Sequence, residues 1–178
     1  MKLVVVGNGM VATNAHVVAG IDKLFVQDLK GSHAAKTVWF DPNLDFAVLR
    51  VSGLSEPSLT LAVSTVGRGT PAAVLGYPGG GAFNASPAAV IDEITAVGRN
   101  IYGSGHTVRD VYELRADVIP GNSGGPLVAS NGQVIGVIFA ESTTYKHVGY
   151  ALTTSQVRSE LQQVATRTQP VSNSSCAE

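Results

Sequence analysis

Short runs of apolar and β-branched residues recur along this chain, and turn-forming residues separate them. Runs that alternate with period two are typical of strands with one buried face. Asn-Gly pairs at 8–9 and 131–132 and a Gly-rich stretch at 78–81 suit tight turns between such strands. We predict eleven strands, at Leu3–Val6, Met10–Thr13, Leu24–Gln27, Lys36–Phe40, Phe46–Val51, Pro71–Leu75, Ala89–Asp92, Thr107–Arg115, Pro126–Ala129, Gln133–Phe139 and Val148–Leu152. The pattern indicates an all-β sandwich or barrel.

The spacing becomes helical near the C-terminus. Beyond Thr153 the apolar positions share one helical face, at Val157, Leu161 and Val164. Thr153 followed by Gln156 forms a capping box. We therefore predict a single helix from Thr153 to about Arg167, followed by a polar tail at 168–178 without a core pattern.

The stretch Ser52–Arg68 contains Gly53 and Pro57 and has few strand-like alternations, so it is the best candidate for a linker between two β units. We divide the chain into residues 1–60, residues 61–167 with the helix, and the tail at 168–178.

Composition and charge exclude several classes of function. The 178 residues are enough for a buried core, and only 14% of them are charged. Twelve basic and thirteen acidic residues give a net charge of −1, so nothing favours binding to nucleic acid or to an anionic membrane. No run approaches the roughly 20 apolar residues of a membrane span. One cysteine, Cys176, leaves no partner for a disulfide within these residues.

Three segments carry residues suited to nucleophilic catalysis. Gly121-Asn122-Ser123-Gly124-Gly125-Pro126 places a serine in a glycine-rich turn, where small neighbours admit a substrate carbonyl and backbone N–H groups can converge. Thr13-Asn14-Ala15-His16-Val17-Val18 places a histidine at a strand end. The segment 41–49 places Asp45 at a strand start. A serine hydroxyl needs a base, and the base needs an acceptor on its other nitrogen, so this set supplies a nucleophile, a base and an orienting carboxylate.

Other chemistry finds little support. The remaining histidines, His33, His106 and His147, lack the spacing of metal ligands. The Gly-rich turn Gly76–Gly81 lacks the Lys-Ser/Thr ending of a phosphate-binding loop. We expect neither a metal nor a cofactor.

Together these segments resemble the chymotrypsin-fold (trypsin-like) serine peptidases in their short bacterial form. The turn Gly76–Gly81, the approach Arg115-Ala116-Asp117 and the strand Gln133–Val137 extend the resemblance to the peptidase domain of actinobacterial membrane-anchored periplasmic proteases, which are linked to acid resistance in mycobacteria. The resemblance implies two antiparallel β-barrels with a C-terminal helix, endopeptidase activity on protein or peptide substrates, and a periplasmic or extracytoplasmic, membrane-associated location.

Carried over to this chain, the resemblance makes Ser123 the nucleophile, His16 the general base and Asp45 the residue that orients the histidine. The oxyanion hole would be the backbone N–H groups of Gly121 and Ser123. Asp41 is a rival for the carboxylate role, but Pro42 follows it and biases it towards an extended turn, so we interpret it as a loop residue.

The resemblance also suggests where substrate binds. Phe139-Ala140-Glu141 would pair with the substrate backbone, and Gly149 would form a pocket wall. Asp117 lies six residues before Ser123, where trypsin-like enzymes that cleave after Lys or Arg carry an acid. The alternative is a strand-end aspartate satisfied by Arg115 or by backbone N–H groups.

Only fifteen residues precede His16, so we expect the first barrel to lack its opening strand. A barrel with unpaired edges leaves open a catalytically silent scaffold that binds peptides or protein partners. A membrane anchor would lie upstream, and Cys176 could pair with a cysteine in that missing segment.

Overall fold

The computed structural model describes residues 4–7, 9–28 and 30–173. Its strands are β1 (Val4–Gly7), β2 (Met10–Thr13), β3 (Leu24–Asp28), β4 (Gly31–Asp41), β5 (Phe46–Val51), β6 (Pro71–Gly76), β7 (Asn84–Gly98), β8 (Thr107–Ala116), β9 (Pro126–Ala129), β10 (Val134–Glu141) and β11 (Val148–Thr153). Two α-helices, α1 (Ala15–Val18) and α2 (Thr154–Val164), and a 3-10 turn at Pro78–Gly80 complete the regular elements of the described residues. Each predicted strand overlaps one observed strand.

The strands form two antiparallel sheets. The first has the order β1-β2-β5-β4-β3, and the second closes into a barrel in the order β10-β11-β8-β7-β6-β9. The prediction of an all-β fold with a C-terminal helix is confirmed. The first sheet is a curled half-barrel that stays open, with β1 and β3 at its edges in the described residues.

A hydrophobic cluster joins the two sheets. Phe46 and Val38 from the first sheet are fully buried in it together with Val137 and Leu152 from the barrel. Val157 of α2 packs into the same cluster. Since burial of each large apolar side chain stabilises the fold by about 1.5–3 kcal/mol, this interface fixes the two sheets against each other and shapes the groove between them.

The predicted linker is tied down at several points along its length. The N–H of Leu59 donates to the carbonyl of Val5 at 2.9 Å, and the N–H of Ala62 donates to the carbonyl of Val134 at 2.8 Å. This irregular segment therefore bonds to both sheets as it crosses between them. The boundary at residue 60 itself stays a prediction.

The cap of α2 is as predicted, because Thr153 accepts a hydrogen bond from the N–H of Gln156 at 3.5 Å. The helix ends at Val164, three residues earlier than predicted.

The residues after α2 return to the first sheet. Their polar composition gave no indication of this path. The N–H of Val171 donates to the carbonyl of Thr37 at 2.8 Å. The side-chain amide of Asn173 donates to the carbonyls of Val18 at 2.6 Å and Ile21 at 2.9 Å. The residues that follow α2 therefore bind the C-terminal end of α1. Cys176 lies outside the described residues.

Candidate active site

His16 lies on α1, a helix of one turn that the strand-end prediction missed. The helix begins directly after the buried strand β2, with Asn14 as its N-cap in an extended conformation. The side chain of His16 is 33% exposed, so one edge of its ring is open to the groove between the sheets.

Asp45 lies in the tight turn between β4 and β5. The carboxylate of Asp41 accepts hydrogen bonds from the N–H groups of Asn43 at 2.8 Å and Leu44 at 3.0 Å, which folds the turn as the loop interpretation of Asp41 requires. Asp45 then adopts a φ of +62°, a conformation that few residues other than glycine, asparagine and aspartate tolerate. The turn thereby directs a carboxylate that is 7% exposed towards α1.

His16 and Asp45 are joined at two points. The ring Nδ1 of His16 lies 2.7 Å from Oδ2 of Asp45, and the backbone N–H of His16 donates to Oδ1 at 2.9 Å. The side-chain amide of Asn14 donates to the backbone carbonyl of Asp45 at 3.0 Å. A carboxylate on Nδ1 favours the tautomer with its proton there, which leaves Nε2 as a proton acceptor.

Ser123 lies in the tight turn before β9. Gly121 has a φ of +97°, which requires glycine. The neighbouring N–H groups are occupied, since Asn122 donates to Ile119, Gly124 to Ile138 and Gly125 to Asn122. Within the part of the chain that the structure describes, the N–H groups of Gly121 and Ser123 donate no hydrogen bond. They are the two predicted oxyanion donors.

Ser123, Gly121 and His16 line one cleft of about 950 Å³. Asp28, from the end of β3, and Glu56, from the irregular segment after β5, also line this cleft. The pKa of Asp28 is lowered, because hydrogen bonds from the ring of His33 and from backbone N–H groups outweigh the opposite effect of desolvation. Ser123 and His16 therefore share one cleft that is also lined by two acidic residues.

The predicted substrate residues Asp117 and Glu141 line a different cavity, of about 660 Å³. Oδ1 of Asp117 contacts Nδ1 of His147, and both side chains are mostly exposed. The expected partner, Arg115 or a backbone N–H, is therefore replaced by a histidine, and His147 is not an isolated surface residue. The segment from Asp117 to Ser123 lies between the two cavities.

The segment Phe139-Ala140-Glu141 is the end of β10, and the strand register shifts at Phe139, between Ile138 and Ala140. On one edge Ala140 pairs with Tyr150 and Glu141 with Gly149. On the other edge β9 pairs with β10 only as far as Val137, so within the described residues no strand covers this end. A Cβ at Gly149 would overlap Cγ2 of Val118, which explains a glycine at this wall.

Sequence reasoning missed two residues that support the site. Asn14 holds the backbone of Asp45, and only its place before a short helix could have suggested it. Arg109 is 7% exposed and donates from Nε to the carbonyl of Leu44. In β8 every second residue from Thr107 to Val111 is buried, and Arg109 is one of them. The alternation of the predicted strand could therefore have shown that this arginine faces the interior.

Among residues 4–7, 9–28 and 30–173, no three His, Cys, Asp or Glu side chains converge in a way that could hold a metal ion. Over the same residues, neither helix has the length and apolar character needed to cross a bilayer.

Comparison with known families bears on this arrangement. The family model described as a trypsin-like peptidase domain matches residues 3–137. The chain belongs to the trypsin-like peptidase family. Its match includes all three segments that carry His16, Asp45 and Ser123.

Curated relatives of this peptidase chain are longer than it. Serine protease Rv3671c of Mycobacterium tuberculosis is 42% identical over 173 residues, which are 97% of this chain and 43% of the relative. A probable periplasmic serine endoprotease of the DegP-like type from Chlamydia trachomatis is 37% identical over 152 residues, 82% of this chain and 29% of the relative. The chain thus spans less than half the length of these relatives.

Solved structures show the same fold. The active form of the Rv3671c protease from M. tuberculosis superposes with a TM-score of 0.95 at 41% identity, covering 99% of this chain and 78% of the other. An inactive form of Rv3671c with a serine-to-alanine substitution gives 0.84 at 41% identity, covering 95% of this chain and 82% of that one. The chymotrypsin-like fold is therefore confirmed.

Proposed function

We propose that this chain is the catalytic unit of a serine endopeptidase, with Ser123 as nucleophile, His16 as general base and Asp45 as the carboxylate that orients it. The observation that carries the proposal is the His16–Asp45 pair, joined by two hydrogen bonds, on a cleft that Ser123 also lines. The curated relatives are named a serine protease and a serine endoprotease, which supports a serine nucleophile in the family.

The geometry supports acyl transfer in two steps. In the first, Oγ of Ser123 attacks the scissile carbonyl carbon while Nε2 of His16 takes its proton, and the N–H groups of Gly121 and Ser123 stabilise the oxyanion. The C–N bond then breaks as His16 returns that proton to the leaving amine. In the second step water attacks the ester of Ser123, His16 again takes and returns a proton, and the carboxylic acid leaves.

Substrate would bind as an extended strand on the free edge of Phe139-Ala140-Glu141. Gly149 and Val118 would bound the pocket beside it, since the two pack without space for another side chain at Gly149. Asp117 would be available to a basic substrate residue only when its contact with His147 opens.

We also propose an extracytoplasmic, periplasmic location, because the DegP-like relatives are named periplasmic endoproteases. Membrane association, a role in acid resistance and a disulfide from Cys176 to an upstream segment stay predictions.

The test is covalent labelling with a fluorophosphonate probe near neutral pH, with Ser123→Ala and the exposed-turn variant Ser130→Ala as a matched pair. We expect one label per chain in the wild type and in Ser130→Ala, and none in Ser123→Ala. Folded wild-type protein that takes no label would favour the silent scaffold, in which the open first sheet serves to bind peptides or partners.

A further inference from the structure

A buried arginine of the barrel lies behind the proposed catalytic pair. Arg109 is only 7% exposed although it carries a permanent charge. A buried charge is strongly unfavourable unless polar groups and opposite charges surround it, so its neighbours indicate why it is there.

The guanidinium contacts three different parts of the fold. Its Nε donates to the carbonyl of Leu44 at 3.3 Å, and one terminal nitrogen donates to the carbonyl of Arg99 at 3.0 Å. Its Cζ lies 5.8 Å from the ring centroid of Phe139. Arg109 therefore links the residue that precedes Asp45 to the strand end that is proposed to bind substrate.

The charge of Arg109 acts on the carboxylates of this region. Burial lowers the pKa of Arg109, and the negative charges of Asp45 and Asp41 act against that shift. Within the described residues, no carboxylate oxygen lies within 4.0 Å of its guanidinium. Arg109 therefore forms no direct ion pair with Asp45, and its buried cation is held on the carbonyl of Leu44, the residue before Asp45.

We propose that Arg109 is a positioning residue for the His16–Asp45 pair: it anchors the backbone before Asp45 and, through its charge, favours ionised Asp45 and neutral His16. This inference rests on the proposed function and extends it to a residue of the other sheet.

Three carboxylates lie in the same turn or the same cleft as the pair. Asp41 lies in the same turn as Asp45, and Asp28 and Glu56 line the cleft into which His16 opens. A negative charge close to an imidazole favours its protonated form, which cannot act as a base. Arg109 opposes them from the interior, so its loss should make His16 easier to protonate.

The experiment titrates His16 in the full chain. Arg109→Gln removes the charge, Arg109→Lys keeps it without the planar fork, and Arg115→Gln removes a charge from an exposed position of the same strand. NMR of the His16 imidazole is followed between about pH 5 and 9 in a Ser123→Ala background, which needs no activity. His16→Gln identifies the resonance, and pH profiles of kcat/KM are measured in parallel with Ser123 intact.

We expect the Arg109→Gln midpoint to rise by roughly half a unit to one unit, from the loss of a buried charge nearby. The Arg109→Lys midpoint should match the wild type while its plateau activity falls, because the Leu44 carbonyl loses its donor. Arg115→Gln should change neither quantity.

If the titration midpoint of His16 in Arg109→Gln equals that of the wild type, the inference is overturned. This holds even if the maximal kcat/KM of the variant is lower. Should Arg109→Gln not fold, Arg109→Lys decides, and a midpoint displaced by half a unit or more contradicts the electrostatic role. Failure of the proposed function is distinguishable, since it appears as wild-type protein with no labelling at Ser123 whatever the titration shows.

Discussion

The unusual backbone conformation of Asp45 places its carboxylate against His16. A φ of +62° is rare for a residue with a side chain, and the turn holds it through Asp41, through Asn14 and through Arg109 on the carbonyl of Leu44. Strain of this kind persists only where the surroundings over-determine the conformation. The same contacts also place both carboxylate oxygens on His16.

Asp45→Asn should therefore affect chemistry far more than stability. Asparagine tolerates the same backbone conformation, but its amide cannot hold the ring of His16 in the required tautomer, so kcat should fall by about 10⁴. Steady-state kinetics on a peptide substrate and thermal unfolding give the two quantities.

Asp41→Asn is the matched control, since an amide oxygen can still accept from Asn43 and Leu44. Its kcat should stay close to that of the wild type. Equal losses in both variants would mean that Asp45 has no special role.

Gly149→Ala tests the packing behind the proposed substrate strand. A methyl at this position overlaps Cγ2 of buried Val118, so we expect a loss of about 1–3 kcal/mol in the free energy of unfolding. Urea denaturation measures it. Adding Val118→Ala should restore part of the loss, and a double variant whose losses simply add would show that the two residues do not meet.

At the scale of elements, the segment after α2 stabilises the helix that carries His16. The backbone carbonyl of Asn173 accepts from the N–H of Gly20 at 3.3 Å, and its side chain binds Val18 and Ile21. A helix of four residues has almost no stability of its own, so its end depends on such contacts. Asn173 is thus a structural support for α1 from 155 residues away in the sequence.

Asn173→Ala should lower the free energy of unfolding by about 1–3 kcal/mol, because two carbonyls lose their donor. The ordering of His16 should weaken with it, so kcat should fall with little change in KM. Thermal unfolding and steady-state kinetics measure both effects, with exposed Gln169→Ala as the control from the same segment. An Asn173→Ala variant indistinguishable from Gln169→Ala would exclude this support.

The elements that sequence reasoning found are those whose pattern is local. Alternation located every strand, although β7 extends to fifteen residues where only Ala89–Asp92 was predicted. Its outer positions are mostly exposed, so they lack the apolar contrast that marks a strand. The turn α1 was missed because four residues are too few for helical periodicity, and the contacts of Asn173 were missed because they are non-local.

The residues of the candidate site divide in the same way. Glycine-rich surroundings mark Ser123, and resemblance to a family pairs it with His16 and Asp45. The partner of Asp117 was misplaced, since His147 lies on a distant loop that only the pairing of β8 with β11 brings near. Such a contact depends on strand register, which the sequence leaves undetermined.

At the scale of the whole molecule, neither sheet contains a complete site. His16 and Asp45 lie on a helix and a turn that connect strands of the first sheet, whereas Ser123 and Gly121 lie in a turn that leads into β9 of the barrel. The cluster containing Phe46, together with Arg109 on Leu44, holds the two halves together. If Ser123 is the nucleophile, as we propose, its reactivity should depend on how the two sheets pack against each other.

We expect fluorophosphonate labelling and near-ultraviolet circular dichroism to be lost in one coincident thermal transition, because a shared core makes unfolding cooperative. Phe46→Ala should lower that common midpoint through a loss of about 3–5 kcal/mol, and both probes should move together. The matched control is Phe25→Ala on β3, whose side chain is mostly exposed and should leave the midpoint almost unchanged. Labelling that disappears well before the dichroism would instead show that the sheets separate while each stays folded, in which case the docking interface rather than the core of either sheet limits the active state.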